Sequence, residues 1–200
     1  MTQNQPTPPH GANDRHTSFA DFDKTRLEGW DYDIFQQQTA SPVAVISIHG
    51  GIEKGMTELA RIVAGTEHNL FAFHSYEDES RFFDVHITSN RYDEPHCVNT
   101  VLKSEFTISV HGCRAKEEVV YIGGLDTALG QSIADEFNRR GIKAMTDGHI
   151  YPADVPENIC NRNKKGAGVQ LEFSASVREN PQLLRECAEG LRACLKKLSP

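Results

Sequence analysis

Short apolar runs rich in β-branched residues, at positions 43–48, 106–110, 119–122 and 169–173, punctuate this 200-residue chain. Runs of that length bounded by turn residues read as buried strands. Between them lie helical periods. Met56, Leu59, Ala60 and Val63 share one helix face before Gly65, and Leu125, Ala128, Leu129, Ile133 and Phe137 share another before Gly141. Asn180-Pro181 opens a last helix whose stripe is Leu184, Cys187, Leu191, Cys194 and Leu195. Positions 70–73 and 84–88 read as further strands, and Asp93 as an N-cap with Pro95 in the first turn. Buried strands alternating with amphipathic helices predict an α/β sandwich around a mostly parallel sheet. The polar stretch 146–168 reads as a long loop, a length at which loops tend to carry function.

A hydrophobic fraction of 38% and a charged fraction of 24% fit one globular domain, expected over residues 29–200. Residues 1–28, with Pro6, Pro8 and Pro9 among polar neighbours and no hydrophobic period, read as a flexible tail that includes His10 and His16. A net charge of −7 gives no overall attraction to nucleic acid or an anionic membrane, and neither is expected as a partner. No apolar run approaches the roughly 20 residues that span a bilayer, and no signal-peptide pattern opens the chain. The expected setting is the cytoplasm, or release by cell lysis. Five cysteines without a Cys-x-x-Cys pair predict reduced thiols rather than a disulfide framework.

Two strands end alike, at Ile48-His49-Gly50-Gly51 and Val110-His111-Gly112. Open α/β sheets place their sites at strand ends. Glu53 follows four residues after His49, and Glu58 lies further along. Such histidines either hydrogen-bond loop backbone or, with a carboxylate, form the open ligand set of a catalytic zinc. A phosphate loop is excluded because Gly-x-x-x-x-Gly-Lys-[Ser/Thr] is absent. Cys113 lies two residues from His111, which is weak support for a cysteine nucleophile.

The segments 47–58, 86–95, 110–113, 121–126, 158–162 and 168–172 resemble, in order, motifs of the phage-type poly-γ-glutamate hydrolase family. The resemblance covers about residues 30–178. It implies a three-layer, zinc-carboxypeptidase-like fold around a mixed, mostly parallel sheet. It further implies one zinc per chain, held by His49, Glu53 and His111, with Glu172 as general base and acid. The implied reaction is hydrolysis of γ-glutamyl amide bonds in poly-γ-glutamate. A substrate with a carboxylate on every unit calls for guanidinium partners. Arg91 is assigned a catalytic part, and Arg162, Arg178 and Asn161 substrate binding; His86 is expected to pack within its strand. One residue fewer than usual separates the glycines from Ile52-Glu53, a rotation of about 100° if the segment is helical; Glu58 is the substitute ligand. A carboxypeptidase-like hydrolase acting on another γ-glutamyl or short peptide substrate is the alternative enzyme. A polyanion-binding module without activity is the alternative outside enzymes. A monomer is expected.

Overall fold

A computed structural model describes residues 13–198. In chain order the elements are α1 (Phe19–Phe22), β1 (Tyr32–Gln37), β2 (Val43–Gly50), α2 (Met56–Ala64), β3 (Asn69–Ser75), α3 (Phe82–Val85), α4 (Pro95–Lys103) and β4 (Phe106–Gly112). Then follow β5 (Val120–Gly123), α5 (Thr127–Arg139), β6 (Ala144–Met145), β7 (Val169–Phe173), α6 (Ala175–Arg178) and α7 (Pro181–Leu195). The strands form one sheet in the order β1-β3-β2-β4-β7-β5-β6. β2 runs parallel to β3 and β4, and β4 parallel to β7, whereas β1 and β5 meet their inner neighbours antiparallel. The sheet is therefore mixed and mostly parallel, as the alternating pattern predicts.

Side-chain alternation along each strand builds two cores. On one face Val43, Val45, Ile108, Val110 and Leu171 pack against α2, α5 and α7 through Leu59, Val63, Ile133, Phe137 and Leu191. On the other face Ala44, Ile46, Ile48, Phe71 and Phe73 pack against Phe19, Phe22, Val101 and Ile159. Helices thus cover both faces. Across β4 and β7 the second face turns polar while staying buried: Thr107, Ser109 and His111 lie beside Gln170 and Glu172. Placing polar groups in a covered layer costs free energy unless each finds a partner. That strip is where the site forms.

Three local readings of the sequence differ from the structure. Positions 84–88 are not a strand: α3 ends at Val85 and His86 is its extended C-cap, with φ −63° and ψ 133°. Val85 and Ile87 are both buried, and that spacing of two imitates a strand. The N-cap of α4 is Glu94, whose Oε2 accepts from Cys97 N at 2.6 Å, while Asp93 accepts from Phe19 N. The span expected to be a tail differs within its described part. Phe19 and Phe22 are buried in the second core, and His16 is buried against the Phe22 ring at 5.5 Å. His10 and the rest of 1–12 lie outside the described residues. All five cysteines are free and buried. No helix among the described residues is long and apolar enough to cross a membrane.

Candidate metal centre

His49 ends the buried strand β2, and the chain then makes one helical turn in which Glu53 N donates to His49 O at 2.9 Å. Gly51 permits that turn with φ +87°, and a Cβ there would collide with Ser75 O at 1.9 Å. The turn brings the Glu53 carboxylate back over its own starting residue, so the shortened spacing is absorbed. Glu53 Oε1 lies 3.0 Å from His49 Nδ1, and its Oε2 lies 3.6 Å from His111 Nδ1. The two histidine Nδ1 atoms are 3.1 Å apart. Glu58 is exposed on α2, away from this cluster.

These spacings suit a shared cation. Ligand atoms on a tetrahedral zinc, with bonds of about 2.0–2.1 Å, sit roughly 3.3 Å from one another. Outer contacts fix which nitrogen faces inward. His49 Nε2 donates to Ile87 O at 2.9 Å, and His111 Nε2 meets Ser109 Oγ at 2.8 Å. Both Nδ1 atoms therefore point toward Glu53, with the outer nitrogens hydrogen-bonded as metal-binding imidazoles require. Glu53 Oε2 also accepts from Gly112 N at 2.9 Å.

The electrostatics agree. Burial pushes the Glu53 carboxyl up, but the facing imidazoles of His49 and His111 outweigh it and hold the group below the usual carboxylate range. Burial disfavours the imidazolium of His49, yet the Glu53 charge more than offsets this and raises its pKa. For His111, burial prevails and lowers the pKa. A cation here competes with a proton for His49 Nδ1, so metal uptake and protonation are linked.

His86, His49 and Glu53 each also offer a ligand atom within 4.8 Å of the others. Two donor sets thus share His49 and Glu53, one adding His111 and the other His86. Ring geometry separates them. Imidazoles sharing one tetrahedral ion place their centres about 5 Å apart. The His49 and His111 rings meet that at 4.9 Å, with planes 69° apart. His86 instead lies tilted against His49 at 4.2 Å and 34°, and its Nδ1 donates to Asp14 Oδ1 at 2.6 Å, which leaves Nε2 as the atom it offers the centre. His86 therefore lines the centre rather than packing in a strand.

Glu172 lies beside His111 in the parallel register of β7 and β4. Adjacent strands are about 4.8 Å apart, which puts this carboxylate next to the cluster. Gln170 Nε2 donates to Glu172 Oε1 at 2.9 Å, and Asn158 in turn holds Gln170 at 2.9 Å. Burial, with the Glu53 charge added, pushes Glu172 well above the ordinary carboxylate range. A carboxylate raised in this way is a stronger base than a surface one. Across β5, Tyr121 is in register with Glu172 and lies tilted against Tyr151 at 5.5 Å and His149 at 5.3 Å. Burial raises the Cys113 thiol, away from the thiolate a nucleophile requires.

The remaining residues expected at the site are nearby but differently engaged. Arg178 is 6% exposed in its side chain and donates to Phe173 O, Cys113 O, Lys54 O and Glu79 Oε1. It ties together the ends of β7, β4 and the turn after β2. Arg162 donates to the carbonyls of Glu157, Tyr92 and Asn90 at 2.7–2.9 Å. The carbonyl bonds of Arg162 use three of its five N–H donors, and substrate binding by Arg162 and Arg178 stays a proposal. Asn161 is engaged by backbone: its Oδ1 accepts from Leu125 N and Gly168 N, and its Nδ2 donates to Ala153 O and Val155 O. That accounts for both donors and both lone pairs of an amide. Arg91 lies on the same side, its side chain 39% exposed and its Nη2 3.4 Å from Asp14 Oδ2.

Ser109 and Gln170 went unread in the sequence, although each stands two residues before a site group in an apolar strand. That polar spacing of two was a legible signal. Asp14 had none.

The sequence matches the family model described as Poly-gamma-glutamate hydrolase over residues 16–186. It is similar to the UPF0714 protein YndL of Bacillus subtilis (strain 168), 30% identical over 172 residues, covering 84% of this chain and 67% of YndL. The UPF0714 protein YmaC of the same organism is 31% identical over 153 residues, 74% of this chain and 64% of YmaC. The chain therefore spans about two thirds of the length of these relatives. A bacteriophage poly-γ-glutamate hydrolase structure superposes with a TM-score of 0.87 at 28% identity, covering 92% of this chain and 97% of that one. A zinc-free apo structure of YNDL gives 0.82 at 28% identity, covering 92% and 98%.

Proposed function

Because this chain belongs to the poly-γ-glutamate hydrolase family, we propose that it is a zinc-dependent hydrolase of the γ-glutamyl amide bonds of poly-γ-glutamate. The observation that carries this reading is the convergence of His49 Nδ1, Glu53 and His111 Nδ1 within 3.0–3.6 Å, with the buried Glu172 on the neighbouring strand. The α/β fold, of the zinc-carboxypeptidase kind, and a zinc-free structure of the similar YNDL support zinc as the metal.

His49, Glu53 and His111 would hold the zinc, which would supply Lewis acidity toward a carbonyl and lower the pKa of water to about 7. The protein's own groups do the rest. Gln170 occupies Glu172 Oε1, which leaves Oε2 to take the proton from the attacking water and return it to the leaving amine. Arg178 and Arg162 hold strand ends and loops in place and add positive charge around the site. Arg91, given the catalytic part, is the most exposed of the three, which supports a role against the substrate. An overall charge of −7 leaves an anionic polymer to be drawn in by such local charge alone, and nothing in it invites nucleic acid or an anionic membrane. The chain works as a monomer in this reading.

Elemental analysis combined with a turnover assay tests the assignment. Wild type is expected to carry one zinc, and His49→Ala and His111→Ala to lose most of it. Glu172→Gln is expected to keep zinc and lose activity by about 10²–10⁴-fold. Loss of zinc in Glu172→Gln would make Glu172 a ligand, and full zinc in His111→Ala would remove His111 from the set.

A further inference from the structure

One carboxylate reaches the metal centre from upstream of the family match. Asp14 precedes residues 16–186, yet its side chain is only 1% exposed. It accepts from His86 Nδ1 at 2.6 Å, from Thr88 N at 2.9 Å and from Arg91 Nη2 at 3.4 Å. The His86 ring touches two others, stacked on Phe82 at 4.5 Å and 22° and tilted against His49 at 4.2 Å and 34°. Ile87, whose carbonyl receives His49 Nε2, sits between the two residues that Asp14 grips. Asp14 therefore acts on His49 by two routes: through the imidazole against its face, and through the carbonyl at its outer nitrogen.

We propose that Asp14 is a positioning residue for the metal centre, holding His49 in its ligating orientation through His86 and Ile87 and thereby setting zinc affinity. The inference rests on the zinc reading of His49, Glu53 and His111. Without Asp14, the His86 ring loses its edge contact and the 86–88 backbone loses an anchor. His49 then has more orientations to lose when it binds. Removing an outer partner of a ligand costs about 10–100-fold in metal affinity, and Asp14 acts one contact further out, so about tenfold is expected.

The test is zinc affinity of the full-length, metal-stripped protein, measured by competition with a chromophoric chelator, with no turnover needed. Asp14→Ala should bind zinc about tenfold more weakly, at unchanged stoichiometry. Asp14→Asn, which keeps an acceptor oxygen for His86, should recover most of the loss and covers the case in which the alanine variant folds poorly. Asp21→Ala is the control. Asp21 pairs with His16 at 3.3 Å in the same N-terminal segment without touching the centre, so this variant should keep wild-type affinity. Wild-type affinity in Asp14→Ala, or equal weakening in Asp21→Ala, would overturn the proposal. A wild type that takes up no zinc would instead bring down the metal reading along with it, which tells the two failures apart.

Discussion

Asn161, expected to bind substrate, has its amide engaged by backbone on every side. It is 2% exposed, and its four backbone bonds tie the 153–155 loop to the start of α5 and to Gly168 before β7. Asn161→Ala is expected to cost about 2–4 kcal/mol, because buried backbone groups lose partners. Chemical denaturation would read that loss, while KM of the folded fraction stays near wild type. A stable variant with a raised KM would return Asn161 to substrate binding. His49 and His111 are marked in the sequence as polar residues at the ends of apolar strands, whereas the role of Glu172 comes from the family resemblance. Asp14 was not legible: its partner His86 lies 72 positions away, and nothing local marks a lone aspartate in a polar segment as buried.

At the scale of elements, the strands legible in the sequence were the central ones. β2, β4 and β7 are buried along nearly their whole length, so their sequences are apolar runs. β1 is an antiparallel edge strand with only Tyr32 fully buried, and Asp33, Gln36 and Gln37 hide it from a hydrophobic scan. α1 spans four residues, too short for a helical period to show. Its two phenylalanines nevertheless close the second core, with Phe22 5.4 Å from Tyr32 and 5.7 Å from Phe73 between ring centres. Phe22→Ala should destabilise the protein by about 3–5 kcal/mol, measured by thermal or urea unfolding. A change below about 0.5 kcal/mol, the range of an ordinary surface site, would show that residues 18–28 behave as a tail.

For the whole molecule, the sheet order explains why the site lies where it does. Sequence-distant strands β2, β4 and β7 are neighbours, so His49, His111 and Glu172 meet at one end of the sheet although 123 positions separate the first from the last. The apolar face of the same strands anchors them against α2, α5 and α7, which lets the opposite face carry buried polar groups in fixed positions. The most direct test of the account is the chain length of poly-γ-glutamate after incubation with zinc-loaded, chelator-stripped and zinc-restored protein. Shortened polymer with the first and third preparations, and intact polymer with the second, is the predicted result. Intact polymer in all three, or shortening that survives removal of the metal, would contradict a zinc-dependent hydrolase built on His49, Glu53 and His111.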